Sequence, residues 1–292
     1  MLSENIKERL FTAPRGKAII LGIGVSNLPL AEMLADMGAD IEIRDGKKFD
    51  ALGDAAKKLA DRGAVFICGS DPTRGLCGGE LQNAVIFRSP GIRPDAGDIP
   101  EAVRRGALLT SEMEWFCDAT PATVIAVTGS DGKTTTTTLT HLLLSEAAKR
   151  RGGTAYVGGN IGTPLLSRVS EMKQCDFAVL ELSSFQLDTT SSLKCVSAAV
   201  LNVTEDHLDW HGDMKAYAEA KGRIFKQDTV RVVNREDAET LRLAQGGPVR
   251  TFGGGEPVKA GEYGLARGAD GLLWLSRLDE GASEPTLFCP EK

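Results

Sequence analysis

Twice in this chain a short apolar run passes straight into a glycine-bearing turn and then into a helix-length stretch. KAIILG (17–22) leads into LPLAEMLADMG (28–38), which Gly38 closes. TVIAVTG (123–129) leads into a stretch that reads as one long helix over 133–151. A strand that feeds a helix through a tight turn is half of a βαβ unit, and a series of such units builds a parallel sheet with helices on its faces. The intervening sequence keeps the alternation. DIEIRD (40–45), AVFICG (64–69), NAVIFRSPGI (83–92) and ALLT (107–110) read as strands, and 53–63 and 97–106 as helices. The second half repeats the scheme with strands at 154–159, 176–183, 197–203 and 229–234, and closes on hairpin-like pieces YGLAR and LLWLSRL.

At 292 residues the chain has room for two domains. The segment SEMEWFCDATPATV (111–124) ends a helix pattern in Thr-Pro, so the expected domains are 1–112 and 113–292. Both are α/β: a Rossmann-like parallel-sheet domain, then a phosphate-loop α/β domain of the ATPase type. A net charge of −6 argues against nucleic acid and anionic membrane surfaces as partners. No apolar run approaches the ~18 residues of a membrane span, and the charged start MLSENIKERLF lacks the apolar stretch of a secretory signal. Six scattered cysteines without a C-x-x-C pair read as free thiols in a reducing cytoplasm.

The stretch VTGSDGKTTTTTLT (127–140) is the chemically loaded one. The strict phosphate-loop pattern asks for glycine where Val127 stands, but the G-x-x-G-K-T core lies between a strand and a helix, as such a loop must. Gly129 and Gly132 let backbone N–H groups turn toward an anion, and the helix start adds partial positive charge. Lys133 suits outer phosphates and the Thr134 hydroxyl suits Mg²⁺. Glu181 ends the apolar strand of LELSSFQLDTT (180–190), where ligands of α/β sheets gather, and is a natural metal ligand beside that loop. LNVTEDHLDWHG (201–212) packs Glu205, Asp206, His207, Asp209 and His211 into one loop. That loop suits a metal, an anionic substrate, or plain solvation. By periodicity alone Lys221 is a solvated helix lysine. In the first domain LGIGVSN (21–27) lacks the third glycine of the dinucleotide fingerprint, which points to a nucleotide other than NAD, with Asp45 near the interval of a ribose contact.

The ordered set VTGSDGKTTTT, GGNIG, ELSSFQLDTT, LNVTEDHLD and AKGRIF resembles the Mur ligases of bacterial peptidoglycan synthesis. The wording ELSSFQL and NVTEDHLD is similar to the branch that joins D-glutamate to UDP-MurNAc-L-alanine. The resemblance runs from about residue 15 to the end and is strongest over 123–225. It implies an ATP-dependent amide ligase. The substrate carboxylate attacks the γ-phosphate, ADP leaves, the amine of D-glutamate attacks the acyl phosphate, and phosphate leaves. Cations must offset the charge that this brings together. By motif match, Gly129, Ser130, Asp131, Gly132, Lys133, Thr134 and Thr135 would hold ATP, and Lys133, His207 and Lys221 would be catalytic. Thr134, Glu181, His207 and Lys221 would serve two Mg²⁺ sites, with Lys221 carbamylated by CO₂. Val25, Ser26, Asp45, Gly46, Lys47, Ser89 and Gly91 would contact UDP, and Asn160 and Ser183 the muramoyl-alanine part. The expected enzyme is cytoplasmic and monomeric.

Three departures stand out. The family more often has Asn where Asp131 stands, and Thr-Arg where Gly46-Lys47 stands. The family also continues into a third domain with most of the D-glutamate contacts, whereas this sequence stops at TLFCPEK, so the expectation is a shortened ligase with little activity. Other readings are a folylpolyglutamate-like ligase, a non-catalytic UDP-sugar-binding protein and, less well, an NAD oxidoreductase.

Overall fold

The computed structural model describes residues 2–79 and 81–290. In chain order the first elements are α1 (Leu2–Phe11), β1 (Ala18–Leu21), α2 (Asn27–Asp36), β2 (Ile41–Asp45), α3 (Asp54–Asp61), β3 (Val65–Cys68), β4 (Val85–Arg88), α4 (Ile99–Arg104), β5 (Leu108–Thr110) and α5 (Glu112–Ala119). Their strands form one parallel sheet in the order β3-β2-β1-β4-β5. The order reverses between β1 and β4, and the crevice at the carboxyl ends of such a pair is where open α/β sheets take ligands. β1 and β4 are buried along their whole length, β1 as an unbroken apolar run and β4 as an apolar run that ends in the buried Arg88. Ile19, Leu21, Ile86, Ile99 and Ala102 form a core on one face of this sheet.

The second half runs β6 (Thr123–Thr128), α6 (Lys133–Lys149), β7 (Ala155–Gly159), β8 (Phe177–Glu181), α7 (Ser184–Leu187), β9 (Cys195–Val200), α8 (Leu208–His211), α9 (Met214–Gly222), β10 (Val230–Asn234), α10 (Ala238–Leu243), β11 (Val249–Phe252), β12 (Glu262–Arg267), β13 (Leu273–Arg277) and β14 (Thr286–Pro290). The sheet order is β14-β13-β12-β11-β10-β9-β6-β8-β7. β6 lies parallel between β8 and β9, and β12, β13 and β14 form an antiparallel meander. The mixed α/β class with a Rossmann-like sheet followed by a phosphate-loop sheet is the one read from the sequence.

Some elements differ from the expectation. Helix α1 escaped notice because its charged residues outnumber the buried pair Ile6 and Leu10. The expected strand 197–203 ends at Val200, because from Asn202 the chain turns to bond the phosphate loop instead of a neighbouring strand. Residues 208–211 of the expected loop form a single helical turn. Compactness divides the chain into Met1–Ala122 with Tyr156–Asp176 and Asp188–Leu193, and Thr123–Ala155 with Phe177–Leu187 and Lys194–Lys292. The first unit reaches past residue 112 because α5 belongs to it: Asp118 Oδ2 accepts both the N–H and the hydroxyl of Ser3, at 2.7 and 2.6 Å. All six cysteines are free thiols. No helix among the described residues is long and apolar enough to cross a membrane.

Candidate functional site

The phosphate loop occupies the turn between β6 and α6. Gly132 takes φ +76° as the N-cap of α6, a left-handed backbone that a side chain resists. The first helix bond there is Thr136 N–H to Gly132 O at 3.0 Å, so the N–H groups of Lys133, Thr134 and Thr135 precede it and face the helix entrance. The carboxamide of Asn202 pins the loop: its Oδ1 accepts the N–H of Ser130 at 2.9 Å and of Asp131 at 2.8 Å. Asp131 Oδ2 accepts the Thr204 hydroxyl at 3.3 Å.

Two ammonium groups meet this loop. Lys133 Nζ donates to Gly129 O at 3.0 Å and to Ser130 O at 2.7 Å. Lys221 Nζ donates to the same Gly129 O at 2.8 Å. Lys221 is not the solvated lysine that periodicity suggests: it is 2% exposed. Burial, with the Lys133 charge adding to it, pushes its ammonium down to about 7. Its Nζ lies 4.3 Å from the Tyr217 ring centroid, one helical turn away on α9. The Tyr217 hydroxyl in turn is 3.2 Å from Ser130 Oγ.

At the entrance of α6 the Thr134 hydroxyl donates to Glu181 Oε2 at 2.9 Å, so the loop and the end of β8 offer two hard oxygens at one point. Glu181 is 1% exposed. This donor set fits Mg²⁺, whose remaining positions are normally filled by water and phosphate oxygens. The residues of 205–211, in contrast, do not converge: no group of three His, Cys, Asp or Glu among the described residues is placed to hold a metal. His207 has φ +53°, an uncommon backbone for a non-glycine residue, and its ring packs against Phe185 at 4.8 Å. His211 Nε2 lies 2.9 Å from Ser184 Oγ. Ser183 is held by the Gln186 side chain, whose Oε1 accepts the Ser183 N–H at 3.0 Å.

In the first unit, Asp45 bridges two turns. Its Oδ2 accepts Ile23 N–H at 2.9 Å and its Oδ1 accepts Lys47 N–H at 2.8 Å. Each oxygen keeps capacity for a further donor. Ser89 Oγ donates to Gly22 O at 3.1 Å and accepts from Asn27 Nδ2 at 3.1 Å. Asp45, Ser89 and the 22–27 turn are thus tied together at the strand reversal. Val25 is 79% exposed beside them, and Ser26, at the N-cap of α2, makes no side-chain capping bond. Gly91 has open space where a side chain would project, and a Cβ at Gly46 would make an ordinary contact with Ser70 O at 3.9 Å. Asn160 is exposed on the glycine-rich turn after β7.

Sequence reasoning missed Asn202, Tyr217, Asn27 and Arg88. Arg88 is 1% exposed, and its Nη1 donates to the carbonyls of Ser89 (3.4 Å), Pro90 (3.1 Å) and Ile92 (2.7 Å). Its position in RSPGIRP at a strand end was the available signal.

Residues 127–267 match the Mur ligase middle domain. Over this stretch the chain is similar to the Mur ligases. The UDP-N-acetylmuramoylalanine–D-glutamate ligase of Ruminiclostridium cellulolyticum is 45% identical over 210 residues, which is 72% of this chain and 43% of that protein. The ligase of the same name from Paraburkholderia phymatum is 38% identical over 295 residues, 94% of this chain and 56% of that protein. This chain therefore spans about half the length of the curated relatives it matches. Among solved structures it shares its fold with the UDP-N-acetylmuramate:L-alanyl-gamma-D-glutamyl-meso-diaminopimelate ligase from Neisseria meningitides. That match has 20% identity and a TM-score of 0.54, and covers 92% of this chain and 86% of the other.

Proposed function

We propose that this chain is part of a Mur ligase and holds the UDP-substrate and ATP parts of an enzyme that joins D-glutamate to UDP-MurNAc-L-alanine through an acyl phosphate. The observation that carries the reading is the convergence of Lys133 and Lys221 on Gly129 O, beside the Thr134–Glu181 oxygen pair at a helix entrance. A carboxylate that attacks a triphosphate needs its repulsion offset, and this is the place where the chain supplies cations and metal-binding oxygens together. Mg²⁺, when bound, would polarise the phosphoryl oxygens.

The loop's own residues divide the remaining work. The N–H groups of Lys133, Thr134 and Thr135 face the phosphate position. Lys133 must release its loop carbonyls to reach an outer phosphate. Asn202 and Tyr217 hold the loop while it does so. A Lys221 ammonium lowered to about 7 leaves a substantial neutral amine at pH 7–8. That amine attacks CO₂, loses a proton and becomes a carbamate, which turns a buried donor into an anionic ligand. His207 would serve the second metal. Residues 1–112, with Asp45, Gly46, Lys47, Ser89, Gly91, Val25 and Ser26, would take UDP. Asn160 and Ser183 would take the muramoyl-alanine part. A cytoplasmic, monomeric protein goes with this reading.

Calorimetric titration of the chain with UDP-MurNAc-L-alanine tests it. Saturable binding is expected, and a folded sample that binds neither this nucleotide nor UDP refutes the assignment.

A further inference from the structure

Helix α5 carries two buried carboxylates that have no part in the chemistry above. Glu112 is 4% exposed and Glu114 is 5% exposed. Each reaches a segment from much later in the chain, within the first compact unit. Glu112 Oε1 accepts the Leu166 N–H at 3.0 Å, and the Leu165 N–H bonds the same carboxylate. Leu165 and Leu166 are themselves 1% and 2% exposed, and they end the glycine-rich turn that bears Asn160. Glu114 collects four bonds. Its Oε1 accepts the Ser191 hydroxyl at 2.7 Å and the Ser192 hydroxyl at 2.8 Å, and its two oxygens share the Ser192 N–H at 3.1 and 3.0 Å.

Burying a carboxylate is costly, and a buried pair whose partners are only backbone N–H and hydroxyl groups is an expensive tether for surface loops. The expense is understandable where loop residues must be held to within ~0.5 Å for a ligand. Both tethered segments sit in the unit that carries Asp45 and Ser89. The Ser89–Ile92 turn has its own anchor in the three carbonyls that Arg88 Nη1 holds, while Arg88 Nη2 donates to Thr189 Oγ1 at 3.0 Å and so brings segment 188–193 up against that end of the site.

We infer that Glu112 and Glu114 are positioning residues: they hold the Asn160 turn and segment 188–193 as the wall that receives the muramoyl-alanine end of the UDP-linked substrate. This rests on the functional reading given above. It separates the two ends of the ligand, which a general loss of stability does not.

The test is calorimetry on the whole chain with two probes, UDP and UDP-MurNAc-L-alanine. The variants are Glu112→Leu, Glu112→Gln and the double variant Ser191→Ala, Ser192→Ala. Glu112→Leu and the double variant should bind UDP within about twofold of the parent and UDP-MurNAc-L-alanine at least about fivefold more weakly. Glu112→Gln keeps an oxygen for the Leu166 N–H and should bind both probes like the parent. If Glu112→Leu does not fold, the serine variant, which leaves α5 intact, carries the test. Variants that bind both probes like the parent, or lose both equally, overturn the inference while the functional reading stands. A parent chain that binds neither probe overturns the reading and the inference with it.

Discussion

Asp131 shows how one side chain tunes the phosphate loop. Its backbone N–H is held by Asn202 and its carboxylate by the Thr204 hydroxyl. Asparagine would keep an oxygen for Thr204 and remove a negative charge from the phosphate position. Asp131→Asn should therefore tighten ATP binding by roughly threefold to tenfold, with the gain shrinking at high salt. Titrations with ATP at two ionic strengths check this, and equal affinities for the two proteins contradict it. Lys221 gives a second outcome. Equilibrated with ¹³C-bicarbonate near pH 8, the chain should show a carbamate carbon resonance that Lys221→Arg lacks. A spectrum without it removes the carbamate from the mechanism. Lys133, Thr134 and Glu181 were legible because their motifs sit at strand ends, and strand ends meet wherever a parallel sheet forms. Tyr217 and Asn202 were not. An aromatic residue on a helix and an amide after a strand carry no spacing signal, and only the fold brings them to Ser130. Burial of Lys221 was hidden for the same reason, since periodicity within α9 does not show what lies across from it.

At the scale of elements, the alternation of strand and helix was legible because buried parallel strands are near-continuous apolar runs: β1 is apolar throughout, and β4 and β8 are apolar up to their last residues, Arg88 and Glu181. The limits of elements were less so. β9 stops early because Asn202 is drawn to the loop, a tertiary preference with no local mark. The threonines after Lys133 are poor helix formers, yet α6 begins there. Thr134 is engaged with Glu181 and Thr137 is fully buried, so packing and the loop offset weak propensity. The turn after β7 offers a test at this scale. A Cβ on Gly158 would lie 2.6 Å from Leu165 Cγ and 3.0 Å from Thr163 O. Gly158→Ala should lower stability by about 1–3 kcal/mol through overpacking. It should also weaken UDP-MurNAc-L-alanine more than UDP, since the displaced turn bears Asn160. Urea melts with both titrations measure this, and an alanine variant as stable as the parent would show that Leu165 yields freely.

For the whole molecule, sequence order is a poor guide to which residues share a unit. Tyr156–Asp176 and Asp188–Leu193 follow the phosphate loop in the chain but group with residues before it. Glu112 and Glu114 hold them there, and no periodicity marks a helix carboxylate as the partner of a loop some fifty or eighty residues later. The tether has a thermodynamic signature. Burial raises Glu112 to about 7, and its bonds from Leu165 and Leu166 only partly oppose that. In the unfolded chain the same group titrates near the ordinary glutamate value of about 4.5. Between these two values the native state holds more protons than the unfolded state, so stability falls as pH rises. The contribution from Glu112 is fully present below about pH 4.5 and gone once pH has passed about 7. A gap of that size corresponds to about 3 kcal/mol as an order of magnitude. Glutamine does not ionise and keeps the acceptor. Glu112→Gln should therefore resemble the parent in stability near pH 5 and gain on it steadily up to pH 7. Above that, the difference should level off. Urea melts of both proteins at pH 5, 6, 7 and 8 give the difference directly, and one that stays constant with pH would mean that Glu112 is ionised throughout and bound strongly enough to offset its burial.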